Sequence, residues 1–170
     1  GSPMSDYNAE DVRNLALVGH AGAGKTTLVE ALLAATGVVQ TPGSVTRGTT
    51  VCDSDPLEKE LQHSLDSAVT SFNVHGKHIN LIDTPGYPGR SISVLPAVET
   101  AVIVINAQAG IEAVTQRMWK AADNRNLCRM ILVNQIDAPG VDLADLTNQI
   151  RETFGPECLP INLPAEGGKR

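Results

Sequence analysis

Nine residues, GHAGAGKTT at positions 19–27, most constrain what this chain can fold into. They stand between the apolar run Leu15-Ala16-Leu17-Val18 and a segment in which Leu28, Leu32 and Ala35 recur at helical spacing. Gly37 follows as a helix-ending glycine. A strand, a glycine-rich turn and a helix in that order are the context in which GxxxxGK[ST] holds phosphate. Gly19, His20, Ala21, Gly22, Ala23, Gly24, Lys25, Thr26 and Thr27 form the candidate loop. Its glycines let backbone amides turn inward onto anionic oxygens, and the helix start adds partial positive charge. Lys25 is placed to reach the terminal phosphates, and the Thr26 hydroxyl to meet Mg²⁺. A glycine-rich turn could serve only the close packing of strand on helix, but the Lys-Thr pair at this spacing argues for the ligand.

The rest of the chain reads as an α/β domain. Positions 68–74 alternate in polarity, His75-Gly76 supplies a turn, and 79–82 is apolar, which together predict a hairpin. Strand-like runs at 101–105 and 130–133 then alternate with helical periodicity at 112–124 and 143–153. That alternation predicts a three-layer P-loop NTPase sandwich, with a mostly parallel sheet and one antiparallel edge hairpin. Pro96 predicts a short or kinked helix before the run at 101. Positions 38–62 carry Pro42, Gly43, Gly48 and Pro56 without a sustained period and predict a long loop. Gly1-Ser2-Pro3 ahead of Met4 reads as a cloning scar, leaving 4–170 as one domain.

Composition removes several function classes. A net charge of −6 argues against a broad basic face for nucleic acid. Cys52, Cys128 and Cys158 are odd in number and carry no metal-ligand spacing, so reduced thiols in a cytoplasmic setting are expected. No apolar run of membrane-spanning length and no signal peptide occurs, and a monomer is expected.

Two further motifs name the ligand. Asp83-Thr84-Pro85-Gly86-Tyr87 follows the second hairpin strand, so Asp83 stands at a strand's carboxyl end, suited to hold Mg²⁺ through water. Gly86 offers a backbone amide to a γ-phosphate. Asn134-Gln135-Ile136-Asp137 ends another strand, and the Asp137 carboxylate can accept from guanine N1 and N2, donors that adenine lacks. An ATP-dependent P-loop protein would require Asp137 to be incidental, a helix cap or turn residue.

With GHAGAGKTTLVEALL, DTPGY and NQID in this order, 12–164 resembles the guanine-nucleotide domain of translational GTPases, elongation factor G and its paralogues in particular. The resemblance implies GTP and GDP as ligands with Mg²⁺, hydrolysis of GTP, and a ribosome as partner of a larger multidomain factor of which this chain is a fragment. It implies catalytic roles for Lys25, Gly86 and the residue at Tyr87. It also implies a switch hydroxyl on Mg²⁺, for which Ser64 fits the count back from the hairpin better than Thr49 or Thr50.

Departures from the family pattern are informative. Tyr87 stands where the family has the histidine that positions the attacking water, and a phenol does not become a cation at neutral pH. Gln135 replaces the lysine of NKxD, predicting weaker affinity without altered base choice. Gly22 replaces an aspartate associated with a monovalent cation, and no counterpart of the last guanine-contacting loop occurs before Arg170. An alternative is therefore a GTP-sensing binding module with weak or no hydrolysis.

Overall fold

The computed structural model describes residues 7–37, 68–86, 88–162 and 164. The polar stretch at 38–62, Ser64 and Tyr87 lie outside these residues. The described elements are β1 (Val12–Gly19), α1 (Lys25–Ala35), β2 (Ala68–Val74), β3 (Lys77–Asp83), α2 (Pro88–Ser93), β4 (Thr100–Asn106), α3 (Ala113–Asp123), β5 (Cys128–Asn134) and α4 (Leu143–Phe154). Short 3₁₀ turns occupy Ala9–Asp11 and Leu95–Ala97.

One sheet of order β2-β3-β1-β4-β5 carries the fold. β1 pairs in parallel with β3 and β4, β4 in parallel with β5, and β2 runs antiparallel to β3. The expected mostly parallel sheet with an antiparallel edge hairpin is therefore present. The hairpin turns at His75 and Gly76, whose φ values of 48° and 76° suit the right-handed twist of the flanking strands. Because the chain crosses from β3 on one side of β1 to β4 on the other, the sheet has its switch point at β1, where such sheets open a ligand crevice.

Alternation along the central strands fills both faces. Ala16, Val18, Ala101, Ile103 and Ile105 point into a core with Met118 and Ala122 of α3 and Leu146, Ile150 and Phe154 of α4. Leu17, Val102 and Val104 point the other way, onto Val29 and Leu33 of α1. Strands buried on both sides need no polar face, which accounts for the unbroken apolar run of β4. Both long C-terminal helices are capped: the Asp142 carboxylate accepts from Asp145 N at 3.0 Å, and Glu112 and Thr115 form a reciprocal capping box.

The structure corrects the phase of α1. The buried stripe is Lys25, Val29 and Leu33, with Leu28 and Leu32 on its flank and Ala35 exposed. A lysine at the head of the stripe hid its true register. Trp119 packs tilted against Phe154 at 4.7 Å between ring centroids, with the Arg129 guanidinium over its face at 4.6 Å. The helix before Pro96 is short, spanning Pro88–Ser93 and giving way to the 3₁₀ turn that contains Pro96. Cys128 and Cys158 are free thiols, and no described helix is long and apolar enough to cross a membrane.

Candidate functional site: a phosphate cradle at the sheet switch point

Three of the parallel strands deliver a motif to the same edge of the sheet. β1 ends at Gly19, β3 at Asp83 and β5 at Asn134, so the carboxyl ends of these strands converge around one cleft. That cleft, about 310 Å³, is walled by Ala21, Gly22, Gly24 and 25–27 on one side and by Thr84, Pro85 and Gly86 on the other.

The shape of the phosphate loop follows from its glycines. Gly22 and Gly24 have φ of 81° and 83°, left-handed values that cost a side-chain-bearing residue about 1–2 kcal/mol. Gly24 also has no room for a side chain, since a Cβ there would overlap the Asn134 amide. Gly19 is closed in the same way by the Val104 carbonyl, 2.5 Å from where its Cβ would lie. Gly86 approaches so near to Ala21 that a Cβ would overlap that backbone. A main chain without side chains on both walls leaves its N–H groups open to an anion.

Lys25 is buried and donates from Nζ to the carbonyls of Gly19 and His20, each at 2.9 Å. Burial pushes its ammonium pKa down from the usual lysine range, an effect that the Asp83 carboxylate opposes. Thr26 Oγ1 donates to Asp83 Oδ2 at 2.8 Å. Burial pushes the Asp83 carboxyl up, while the Thr26 hydrogen bond and the Lys25 charge pull it down. Its second oxygen, Oδ1, is buried with no hydrogen-bond partner among the described residues. A buried carboxylate oxygen without a partner costs on the order of 1–3 kcal/mol.

Other predicted residues brace the loop and the DTPG turn. The His20 ring is buried, with Nδ1 3.0 Å from the Ala21 carbonyl and Nε2 accepting from Asn106 N at 3.3 Å. Ala23 is fully buried and its carbonyl accepts from Asn134 Nδ2 at 3.0 Å, tying the end of β5 to the loop after β1. Thr84 donates through Oγ1 to the Leu17 carbonyl at 2.7 Å, and Ser91 donates to the Pro85 carbonyl at 2.6 Å, pinning the DTPG turn from below. Thr27 is exposed at the mouth, Ile136 packs against the core, and Asp137 is exposed beyond β5. Tyr87 and Ser64 lie outside the described residues.

Two contributors were missing from the sequence reading. Ser91 is fully buried beneath Thr84, but lies in a segment whose helix is too short to show a period. Asn106 ends β4 at the edge that also carries Asp83 and Asn134. A polar residue closing an apolar strand at that edge was the available signal.

Comparison with known proteins agrees with this geometry. Residues 10–163 match the family model described as the elongation factor Tu GTP binding domain. The chain is 39% identical over 160 residues to an elongation factor G-like protein of Mycobacterium tuberculosis, covering 92% of this chain and 22% of that protein. It is 40% identical to elongation factor G 2 of Streptomyces coelicolor, covering 90% of this chain and 23% of that protein. A crystal structure of a Thermus thermophilus protein superposes with a TM-score of 0.74 at 41% identity, covering 92% of this chain and 24% of that one. The chain thus spans about a quarter or less of the length of these relatives. With this match over nearly its whole length, on a matching fold, the chain belongs to the family of elongation factor Tu GTP-binding domains.

Proposed function

We propose that this chain is the GTP-binding and GTP-hydrolysing domain of an elongation-factor-G-type translational GTPase. The observation that carries the reading is the joined pair of walls around the cleft: Lys25 and Thr26 from the phosphate loop meet Asp83 from the DTPG turn, with Thr26 Oγ1 2.8 Å from Asp83 Oδ2. An arrangement that served packing alone would not leave Asp83 Oδ1 buried without a partner.

The donor set fits Mg²⁺. No cluster of three or more His, Cys, Asp or Glu side chains occurs among the described residues, which disfavours a closed protein cage. A hydroxyl and one carboxylate beside a phosphate site suit a hard cation that keeps its waters. Thr26 and Asp83 would hold it, and it would neutralise charge on the phosphate oxygens when bound. The phosphate loop amides and Lys25 bind and orient the phosphates, while Gly86 brings a backbone amide to the far wall. Asp137 selects guanine through N1 and N2. In hydrolysis, water attacks the γ-phosphorus and the bond to the β-γ bridging oxygen breaks, giving GDP and phosphate. Tyr87 follows Gly86 in sequence and is the residue assigned to orient that water.

The 22–23% coverage of the elongation factor G-type relatives supports the reading of this chain as one domain of a larger ribosome-acting factor, working in translocation or a related step in the cytoplasm. Ribosome-stimulated phosphate release from GTP by the intact protein is the test. Tyr87 in place of histidine favours a second reading, a GTP sensor with little turnover. Tight GTP binding without ribosome-stimulated release would select it.

A further inference from the structure

Asn106, the last residue of β4, belongs to none of the three motifs, yet it stands between two of them. Its backbone N–H donates to His20 Nε2 in the phosphate loop at 3.3 Å, and its Nδ2 donates to Gln135 Oε1 in the guanine motif at 2.6 Å. Its Oδ1 accepts from the backbone N–H groups of Gln108 at 2.8 Å and Ala109 at 3.1 Å.

Those two backbone donors fix which way the amide faces. Only the carbonyl oxygen can accept from them, so the NH₂ must turn toward Gln135. Gln135, held at a left-handed φ of 58°, must then answer with Oε1. Its Nε2 is thereby turned toward the phosphate loop, 3.6 Å from where a Cβ on Gly24 would sit. The orientation of one amide thus dictates the polarity that the guanine motif presents to the loop that receives anionic phosphates.

We propose that Asn106 is a positioning residue that locks the Gln135 side chain donor-first onto the phosphate loop and couples the two halves of the nucleotide site. The inference rests on the reading that this pocket takes a guanine nucleotide. If Asn106 merely ended a strand, any substitution that kept the Gln108 and Ala109 hydrogen bonds would be silent. Asn106→Asp keeps the oxygen that accepts from both backbone N–H groups but sets a carboxylate oxygen against Gln135 Oε1. A flip of the Gln135 amide would relieve that contact only by turning Oε1 onto the phosphate loop. Gln135→Lys alone sets a cation against the Asn106 NH₂. Combined, the two substitutions make a matched pair with a donor again facing the loop.

The test is GDP affinity with Mg²⁺, by titration calorimetry on the intact protein, for the parent, Asn106→Asp, Gln135→Lys and the double variant. Asn106→Asp is expected to weaken GDP about tenfold, the double to regain the parent's affinity or exceed it, Gln135→Lys to fall short of the double, and thermal midpoints to stay together. Should Asn106→Asp fail to fold, Asn106→Ser, too short to reach Gln135, is expected to show the same tenfold loss. Parental affinity in Asn106→Asp or Asn106→Ser, or a double variant no tighter than the singles, would overturn the coupling while leaving the guanine reading intact. No GDP binding by the parent would overturn both.

Discussion

Thr26 Oγ1 and Asp83 Oδ2, 57 positions apart in the chain, lie 2.8 Å from each other across the mouth of the cleft. One sits on the first turn of α1 and the other at the end of β3, and parallel pairing of β1 with β3 is what brings those ends level. Substituting either residue should therefore remove the Mg²⁺ dependence of nucleotide binding without unfolding the sheet. Thr26→Ala and Asp83→Ala are each expected to weaken GDP at least about tenfold, to the level that the parent shows with a chelator present. Titration with and without Mg²⁺ measures this; affinities that remain magnesium-dependent in both variants would contradict it.

The same carboxyl makes a pH prediction. Burial raises Asp83 above its ordinary value of 3.8, so the folded, ligand-free protein holds that proton more tightly than the unfolded chain does. Stability is then full below the ordinary value and is lost as pH rises through the raised folded value. Asp83→Asn, which stays neutral and still accepts from Thr26, should match the parent in acid and exceed it toward neutral pH. Magnesium-nucleotide binding needs the ionised form, so in the parent it should strengthen over the same rise. Melting curves across the acid range, with and without GDP·Mg²⁺, decide both signs.

Gly22 and Gly24 separate handedness from crowding. Their φ values are nearly equal, 81° and 83°, but a Cβ at Gly22 meets nothing within 4 Å while one at Gly24 would overlap the Asn134 amide. Gly22→Ala should cost the handedness term alone, about 1–2 kcal/mol. Gly24→Ala should cost more and also part Asn134 from the Ala23 carbonyl, reducing guanine affinity. Urea unfolding ranks the two, and equal losses would be inconsistent with the packing described.

Base choice should change sign at Asp137. An asparagine there would offer an NH₂ where guanine also offers one, and would instead suit xanthine, whose C2 carries a carbonyl oxygen. Asp137→Asn is expected to lose about 100-fold in GDP affinity and to gain xanthosine diphosphate binding. Competition between the two diphosphates measures it.

Turnover in the proposed reaction tests the role assigned to Tyr87. A phenol orients water but supplies no cation at neutral pH, so Tyr87→His should raise ribosome-stimulated single-turnover hydrolysis about 10- to 100-fold. Tyr87→Phe should lower it. Fast, equal rates in the parent and in Tyr87→Phe would remove any role for the phenol.

Long periodic segments were readable because local pattern and burial agree there. The run at 101–105 is apolar on both faces since β4 lies mid-sheet with helices on each side, and α3 and α4 show their stripes because water covers their other faces. α1 misled because its buried stripe begins with Lys25, a residue buried to serve the cleft. α2 was legible only as a short helix ahead of Pro96 and not in its bounds, because a six-residue helix that opens with Pro88-Gly89 is held by the buried Ser91 and its Pro85 contact, not by periodicity. Of the site, the motifs were legible because their chemistry dictates residue type at fixed spacing. Asn106 was not, since its partners His20 and Gln135 lie 86 and 29 positions away and only the sheet register joins them.

Calorimetric titration of the intact protein with GDP and with ADP, both with Mg²⁺, tests the nucleotide pocket most directly. The structure and its family predict a single saturable GDP site and no heat from ADP at the same concentrations. Silence from GDP, or equal binding of ADP, would contradict a guanine-nucleotide site at the β1 phosphate loop.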